Sequence, residues 1–391
     1  MKKRALAAAL MLCLTAASLF LPEDKADQEA SQNWQENTAS IAEPGAAANK
    51  DWEWKLLEDG TVAVTRYHGM EAVVEIPAVL DGKKVTAIGD AAFRYCYNRD
   101  ENNIETGLSY VTIPAGVNEI GQGVFAGCGK LREIDVSREN KAFRSEDGVL
   151  FDKPKTELLA YPAAKAQEKY KIPQGVCRIG DYAFSCANLC AVGLPQSLQE
   201  MGEGAFYNCK SLETMALPAG LKTIGAWAFL NCSFMELAIP AGVAHIGEGA
   251  FEAAYALKTI TVAAENATYS CEDGVLFDKA KTKLIAYPAG REQAEYKIPS
   301  GVEVIGRSAF GSNPYLTRVS VAESVGKIEG NAFCRAGLQE IIIQNPDCMI
   351  EELRSDEKWE TTIPYGTKIY GYKDSTAQSY AEGHGNLFQV L

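Results

Sequence analysis

From Ile113 to Phe125 the chain reads I-P-A-G-V-N-E-I-G-Q-G-V-F. The same arrangement of apolar and polar positions returns at Ile172 to Phe184, Leu194 to Phe206, Leu217 to Phe229, Ile239 to Phe251 and Ile298 to Phe310, with degenerate copies ending at Phe93 and Phe333. Self-similarity at a fixed period marks stacked supersecondary units that share one continuous core. Phe184, Phe206, Phe229 and Phe251 are 22, 23 and 22 residues apart, so one coil takes about 23 residues. After each Phe comes L-x-x-I-x-I, as in Leu131-Ile134-Val136, Leu212-Met215-Leu217, Phe234-Leu237-Ile239, Leu257-Ile260-Val262, Leu316-Val319-Val321 and Leu338-Ile341-Ile343. Its closing apolar pair alternates with period two, which predicts a half-buried strand stacked in parallel on its neighbours. Proline ends each strand and glycine permits the turn, while V-x-x-I-G predicts a second, shorter extended run on the opposite side of the coil. The repeated Phe is expected in the core, each ring on the next, with Phe→Ala losing about 3–5 kcal/mol.

A longer repeat overlies the short one. Phe125 to Phe184 and Phe251 to Phe310 each span 59 residues, which is one coil plus a 36-residue insertion, and Glu139 to Lys165 matches Glu265 to Arg291 at a constant offset of 126. Both copies carry E-D-G-V-L-F-D-K. Strands such as Val275 to Asp278 and Lys283 to Tyr287, with a turn at Lys279 to Thr282, predict a β-hairpin in each. A shorter insertion of 9 residues falls around Arg99 to Thr106. Such insertions are candidate binding elements on one face of a solenoid, or hairpins that merely cover its core. Open solenoids also need their ends covered. Trp52 to Val64, Val73 to Pro77 and Val85 to Gly89 predict strands of an N-terminal cap. A strand near Lys368 to Tyr372, a short helix from Thr376 to Glu382 capped by Asp374 or Ser375, and a last strand from Leu387 to Val390 predict a C-terminal one.

The string I-P-x-G-V-x-x-I-G-x-x-A-F, followed by a Cys and L-x-x-I-x-I, closely resembles the BspA-type leucine-rich-repeat family of bacteria and some protists. The match runs from about residue 72 to 343 in eight periodic copies, and the ending around Ile369-Tyr370-Gly371-Tyr372, Ser375, Ala377 and Tyr380-Ala381 is similar to that family's C-terminal unit. The resemblance implies a surface or secreted protein, some relatives being associated with adhesion to host matrix proteins, other bacteria or host receptors. The expected fold is a β-rich leucine-rich-repeat solenoid with about 23-residue coils, parallel strands, two β-hairpin insertions and terminal caps.

The N-terminus adds a compartment. Lys2, Lys3 and Arg4 precede an apolar run from Ala5 to Leu21, with small residues Thr15 to Ser18 near its end, which predicts an export signal over residues 1–21; an uncleaved membrane anchor is the alternative. Residues 22–50, rich in Ala, Glu, Gln and Asn without periodicity, predict a flexible tether. Residues 51–343 then form the solenoid with its N-terminal cap and insertions at about 137–171 and 263–297, and residues 344–391 the C-terminal cap. The net charge of −13 and the absence of a basic run after residue 4 argue against nucleic acid as a partner.

Candidate chemistry is sparse. Of the 11 cysteines, Cys96, Cys128, Cys209 and Cys232 lie three residues after a repeat Phe, and Cys186 and Cys334 fall in the same turn. Stacked coils bring equivalent residues to about 4.8 Å, close enough for a disulfide, but parallel side chains disfavour its near-perpendicular torsion; a buried thiol ladder is expected, with Cys190 beside Cys186 as the exception to examine. His68, His245 and His384 occupy dissimilar places and suggest no acid–base pair. No hydrolase elbow, zinc-protease motif, phosphate loop or dinucleotide fingerprint occurs. Glu146-Asp147-Gly148 and Glu272-Asp273-Gly274 lack the alternating ligands of a calcium loop and predict turns. No catalytic residue, metal or cofactor is therefore expected. If the L-x-x-I-x-I strands line a concave face, its outward positions are Glu133, Asp135, Thr214, Glu236, Thr259, Arg318 and Glu340, with Arg318 the one typical interface anchor among them. Tyr161, Tyr170, Tyr287 and Tyr296 in the insertions are further candidates, two of them preceding Pro and so open to being packed. A non-enzymatic secreted or cell-surface protein that binds an extracellular protein is the leading expectation, a self-associating envelope module the alternative, and an enzyme of unfamiliar type the least favoured.

Overall fold

A computed structural model describes residues 50–99, 105–351 and 361–391. The expected export signal and almost all of the tether lie outside the described residues, as does the middle of the short insertion at 100–104. Within Ala46–Leu391, one compact unit, each coil contributes a strand to each of two sides.

On the long-strand side, parallel pairs join Val73–Glu75, Tyr110–Ile113 and Glu133–Val136, then Lys169–Lys171 and Ala191–Gly193, then Glu236–Ile239 and Thr259–Val262. A last group runs from Glu295–Lys297 through Arg318–Val321, Glu340–Ile343 and Lys368–Gly371 to Phe388–Val390. The short-strand side stacks two-residue strands in the same sense: Arg178–Ile179, Glu200–Met201, Thr223–Ile224 and His245–Ile246 in one sheet, Val304–Ile305, Lys327–Ile328 and Met349–Ile350 in another. These are the V-x-x-I-G runs. One long strand fails to form: Leu212-Met215-Leu217 makes only an isolated bridge between Ala191 and Thr214.

Phe184, Phe206, Phe229, Phe310 and Phe333 are fully buried. Their rings stack from coil to coil, Phe184 on Phe206 at 4.8 Å, Phe206 on Phe229 at 5.9 Å, Phe229 on Phe251 at 6.0 Å and Phe310 on Phe333 at 4.8 Å. Backbone bonds from Phe184 N to Ala205 O and from Phe206 N to Ala228 O hold the same segments in register.

The two insertions are more than decoration. Each forms an antiparallel meander, Phe143–Glu146, Val149–Asp152 and Glu157–Ala160 in the first and Tyr269–Glu272, Val275–Asp278 and Lys283–Ala286 in the second. The last strand of each enters the short-strand sheet in parallel, Glu157–Ala160 beside Arg178–Ile179 and Lys283–Ala286 beside Val304–Ile305. Tyr161 and Tyr287 follow those strands in the place of a repeat Phe, and stack on Phe184 and Phe310 at 5.0 Å each. Each insertion is thus one complete coil preceded by a hairpin, and the hairpin residues Val149, Leu150, Phe151, Val275, Leu276 and Phe277 are themselves core. The expected two-stranded hairpin was one strand short, because Arg144-Ser145 and Ser270-Cys271 do not advertise a strand by hydrophobicity.

At the front, Trp52–Leu56 and Val62–Tyr67 make an antiparallel hairpin, and Val62–Tyr67 pairs in parallel with Lys83–Ile88. Trp52 and Tyr67 lie against Phe93, closing that end of the ring stack. At the back, the helix Thr376–His384 starts at Ser375, whose hydroxyl accepts a bond from Gln378 N, and ends at Gly385 in a left-handed conformation. Its Ala377, Tyr380 and Ala381 cover the last core layer.

Candidate functional site

The long-strand side presents the seven anticipated positions on one face. Glu133 and Asp135 alternate with buried Ile134 and Val136, Glu236 with Leu237, Thr259 with Ile260, Arg318 with Val319 and Glu340 with Ile341, so each points away from the core. Thr214 is exposed at its bridge.

Two further side chains belong to this face. Tyr110 pairs in register with Glu133 and is 41% exposed. Tyr370 lies one strand beyond Glu340 and donates from its hydroxyl to Glu340 Oε1 at 3.1 Å. The expectation that Arg318 was the one anchor type on the face is therefore corrected. Leu108-Val111-Ile113 is a copy of the strand motif preceding the first one recognised, and it carries Tyr110 outward. Arg318 itself is engaged, its Nε 3.5 Å from Glu340 Oε2.

The hairpin tips reach this same face. Ile134 N donates to Gly148 O at 2.9 Å and Ile260 N to Gly274 O at 3.0 Å, so each tip lies against a long strand. Ser145 Oγ donates to Asp135 Oδ1 at 3.3 Å. Asp147 and Asp273 take φ of 52° and 49°, followed by Gly148 and Gly274 at 73° and 77°, the paired left-handed geometry of a tight hairpin turn. A basic side chain latches each tip. Lys165 Nζ donates to Asp147 O at 2.6 Å, and Arg291 holds both the carbonyl and the carboxylate of Asp273. Strand face and insertions, expected as alternative binding surfaces, are brought together here.

The four insertion tyrosines are not on that face. Tyr161 and Tyr287 are buried, and Tyr170 and Tyr296 pack against them at 4.9 and 4.8 Å. Burial raises the phenol of Tyr287 to about 12 and that of Tyr296 further, which fits packed rings rather than reactive ones.

The thiol ladder has a bonding pattern the spacing did not reveal. Cys128 Sγ donates to Phe93 O at 2.9 Å, Cys209 Sγ to Phe184 O at 3.0 Å and Cys232 Sγ to Phe206 O at 3.2 Å, each reaching the Phe carbonyl of the preceding coil. Burial pushes the thiols of Cys128 and Cys209 well up, the opposite of what a nucleophile or metal ligand needs. Cys190 is a free, part-buried thiol. The histidines are scattered: His68 Nε2 lies 2.8 Å from Glu53 Oε1 in the front hairpin, His245 sits on a short strand, and His384 stacks on Tyr380 in the last helix. Among the described residues no group of three His, Cys, Asp or Glu side chains could hold a metal ion, and no helix is long and apolar enough to cross a membrane.

The sequence matches the BspA type leucine rich repeat region in 6 copies, over residues 76–147, 162–278 and 289–353. Among curated proteins none matches it. Among solved structures, a leucine rich cell surface protein from Faecalibacterium prausnitzii A2-165 is 24% identical, with 90% of this chain and 96% of that one covered and a TM-score of 0.46. A leucine-rich repeat protein from Eubacterium ventriosum is 20% identical over 83% of this chain and 77% of that one, at a TM-score of 0.47. Another, from Bacteroides ovatus, is 21% identical over 90% and 76%, at 0.37. With the repeat matched over well more than half its length, and with the coils, the two-sided strands and the stacked Phe column that the repeat encodes, this chain belongs to the BspA-type leucine-rich-repeat family.

Proposed function

We propose that the chain is a non-enzymatic binding protein, exported and displayed outside the cell, that engages an extracellular protein through its long-strand face. The observation that carries this reading is the convergence of Glu133, Asp135, Tyr110 and a latched hairpin tip on adjacent strands, repeated by Thr259 with the second tip. Both tips are held by backbone bonds and by Lys165 or Arg291, so little conformational freedom is lost when a partner lands there. Export is supported by the basic start and apolar run of residues 2–21. The test is binding of the immobilised full chain to a panel of extracellular matrix proteins, mucus glycans and bacterial wall preparations, with Tyr110→Ala, Glu133→Lys and Arg318→Glu alongside. Saturable binding to a protein that weakens about tenfold or more in at least one variant is expected. Binding unchanged in all three would remove the face from consideration.

A second reading, a self-associating envelope module, is favoured by the solenoid's two ends. Val73–Glu75 and Phe388–Val390 are the terminal strands of their sheets, and Val73, Leu387 and Val390 are 65%, 68% and 52% exposed. An end strand of one copy could extend the sheet of the next. Concentration-dependent sedimentation that Val73→Lys abolishes would move the assignment to this reading.

A further inference from the structure

At the front of the long-strand face, six side chains form two rows that cross three parallel strands in register. Val73, Tyr110 and Glu133 make one row, and Glu75, Thr112 and Asp135 the other. Val74, Val111 and Ile134, which alternate with them, are buried, so all six point outward. Neighbouring strands stand about 4.8 Å apart, so each row runs about 10 Å from its first Cα to its last. The first row changes character along its length, from an exposed aliphatic side chain through an exposed phenol ring to a carboxylate. Its far end is closed by the first hairpin tip, where Gly148 O accepts from Ile134 N and a methyl group on Gly148 would meet Glu133 Cγ at 3.0 Å.

The carboxylates here lack a counter-charge. Among the described residues Glu75, Glu133 and Asp135 form no ion pair, and Asp135 accepts one bond, from Ser145 Oγ. Other carboxylates along this side are matched within the chain, Glu340 by Arg318, Asp147 by Lys165 and Asp273 by Arg291. Three unmatched negative charges on neighbouring strands repel one another, and a cation placed among them is attracted by all three.

On the reading that a protein partner lands on this face, we propose that its contact at the front is an arginine side chain. The aliphatic stem lies on Val73, the guanidinium lies flat on the Tyr110 ring, and its donors pair with Glu133. The order apolar, aromatic, acidic matches arginine from its Cβ to its planar cation. A guanidinium can stack on a ring and donate sideways to a carboxylate at the same time, whereas the ammonium of lysine is a point charge. Glu75 and Asp135 in the second row stand beside this contact and add attraction at a distance.

The experiment is NMR of the full chain with ring-labelled tyrosine, titrated with the peptide acetyl-Gly-Arg-Gly-Arg-Gly-amide and separately with its lysine and glutamine counterparts. The Tyr110 signal is identified by its loss in Tyr110→Phe, and the exposed Tyr365 and Tyr372 are controls. Saturable shifts are expected at Tyr110 and at neither control. The arginine peptide should bind about twofold or more tighter than the lysine one, and the glutamine one should shift nothing. Glu133→Gln should weaken the arginine peptide about three- to fivefold, while Glu340→Gln, which alters a carboxylate already 3.5 Å from Arg318 Nε, should leave it unchanged. No saturable shift at Tyr110, equal binding of the lysine or glutamine peptide, or undiminished affinity in Glu133→Gln would each overturn the proposal. The broader reading fails separately. A panel protein whose binding depends on Tyr110, with no shift from the arginine peptide, would keep the face and overturn its arginine contact. Arginine binding that Glu133→Gln weakens, with no panel protein bound, would uphold the contact and count against the broader reading.

Discussion

Asn140, Asn266 and Asn313 show how much one side chain can do inside a stacked coil. Each is fully buried. In Asn313 the amide nitrogen donates to Pro288 O and Arg291 O in the neighbouring coil, while the amide oxygen accepts from Tyr315 N and Leu316 N in its own. Asn140 and Asn266 repeat the arrangement on Pro114, Val117, Pro240 and Val243. Backbone groups at a coil corner cannot reach water, and an unmatched buried polar group costs about 1–3 kcal/mol. Asn313→Ala removes four bonds and strands three such groups, Pro288 O keeping its bond from Arg291 N, and with partial relief from relaxation is expected to lose about 2–4 kcal/mol in urea unfolding. Asn345, part-exposed and making one bond to Val325 O and one from Asp347 N, should lose distinctly less on the same change. Equal losses would show that the bonding, rather than the Asn side chain's volume, had been overvalued. In the sequence these asparagines read as ordinary turn residues, since nothing local announces that a turn is buried.

Among the elements, the inserted hairpins are the parts whose role changed most. Their second strands are core, and at each tip a left-handed Asp-Gly pair meets a long strand. A methyl group on Gly148 would sit 3.0 Å from the Cγ of Glu133, and the glycine's φ is +73°. Gly175 also has a positive φ, +96°, but nothing within 4 Å. Gly148→Ala and Gly175→Ala should therefore both suffer backbone strain of about 1 kcal/mol, with Gly148→Ala losing about 1 kcal/mol more through the contact. Thermal melts of the two variants check the difference, and hydrogen exchange should report faster opening of residues 143–152 in Gly148→Ala alone. Arg291→Ala, which releases the second tip, is expected to raise exchange around residues 270–276 while leaving the Phe stack protected. The E-D-G turns, the Val275–Asp278 strand and the Ser375 helix cap were legible because each rests on local chemistry. The third strand of each meander was not, because Arg144-Ser145 and Ser270-Cys271 become strand residues through pairing with Leu150, Phe151, Leu276 and Phe277.

For the whole molecule, the continuous core carries a pH signature. Burial raises the phenols of Tyr161, Tyr170, Tyr182 and Tyr296, brings Tyr287 to about 12, and pushes up the thiols of Cys128, Cys209 and Cys348, the last to about 12. A group whose folded value lies above its unfolded one contributes stability that is complete below the unfolded value and is lost as the pH rises towards the folded one. The ordinary values are 9.0 for a thiol and 10.0 for a phenol, so the melting temperature should hold up to about pH 9 and fall steadily from there towards pH 12. A flat profile across that window would mean the rings and thiols are better solvated than their packing indicates. Periodicity alone determined that this chain is a solenoid, its coil length, its Phe column, its two-sided strands and the seven outward positions, because each repeat must present the same apolar pattern to the neighbour that buries it. It could not determine that the insertions complete coils of their own, that their tyrosines take the place of Phe, or that Tyr110 and the hairpin tips share a face with Glu133. Those depend on which coil stacks against which, and contacts between residues far apart in the chain exist only once the stack has formed.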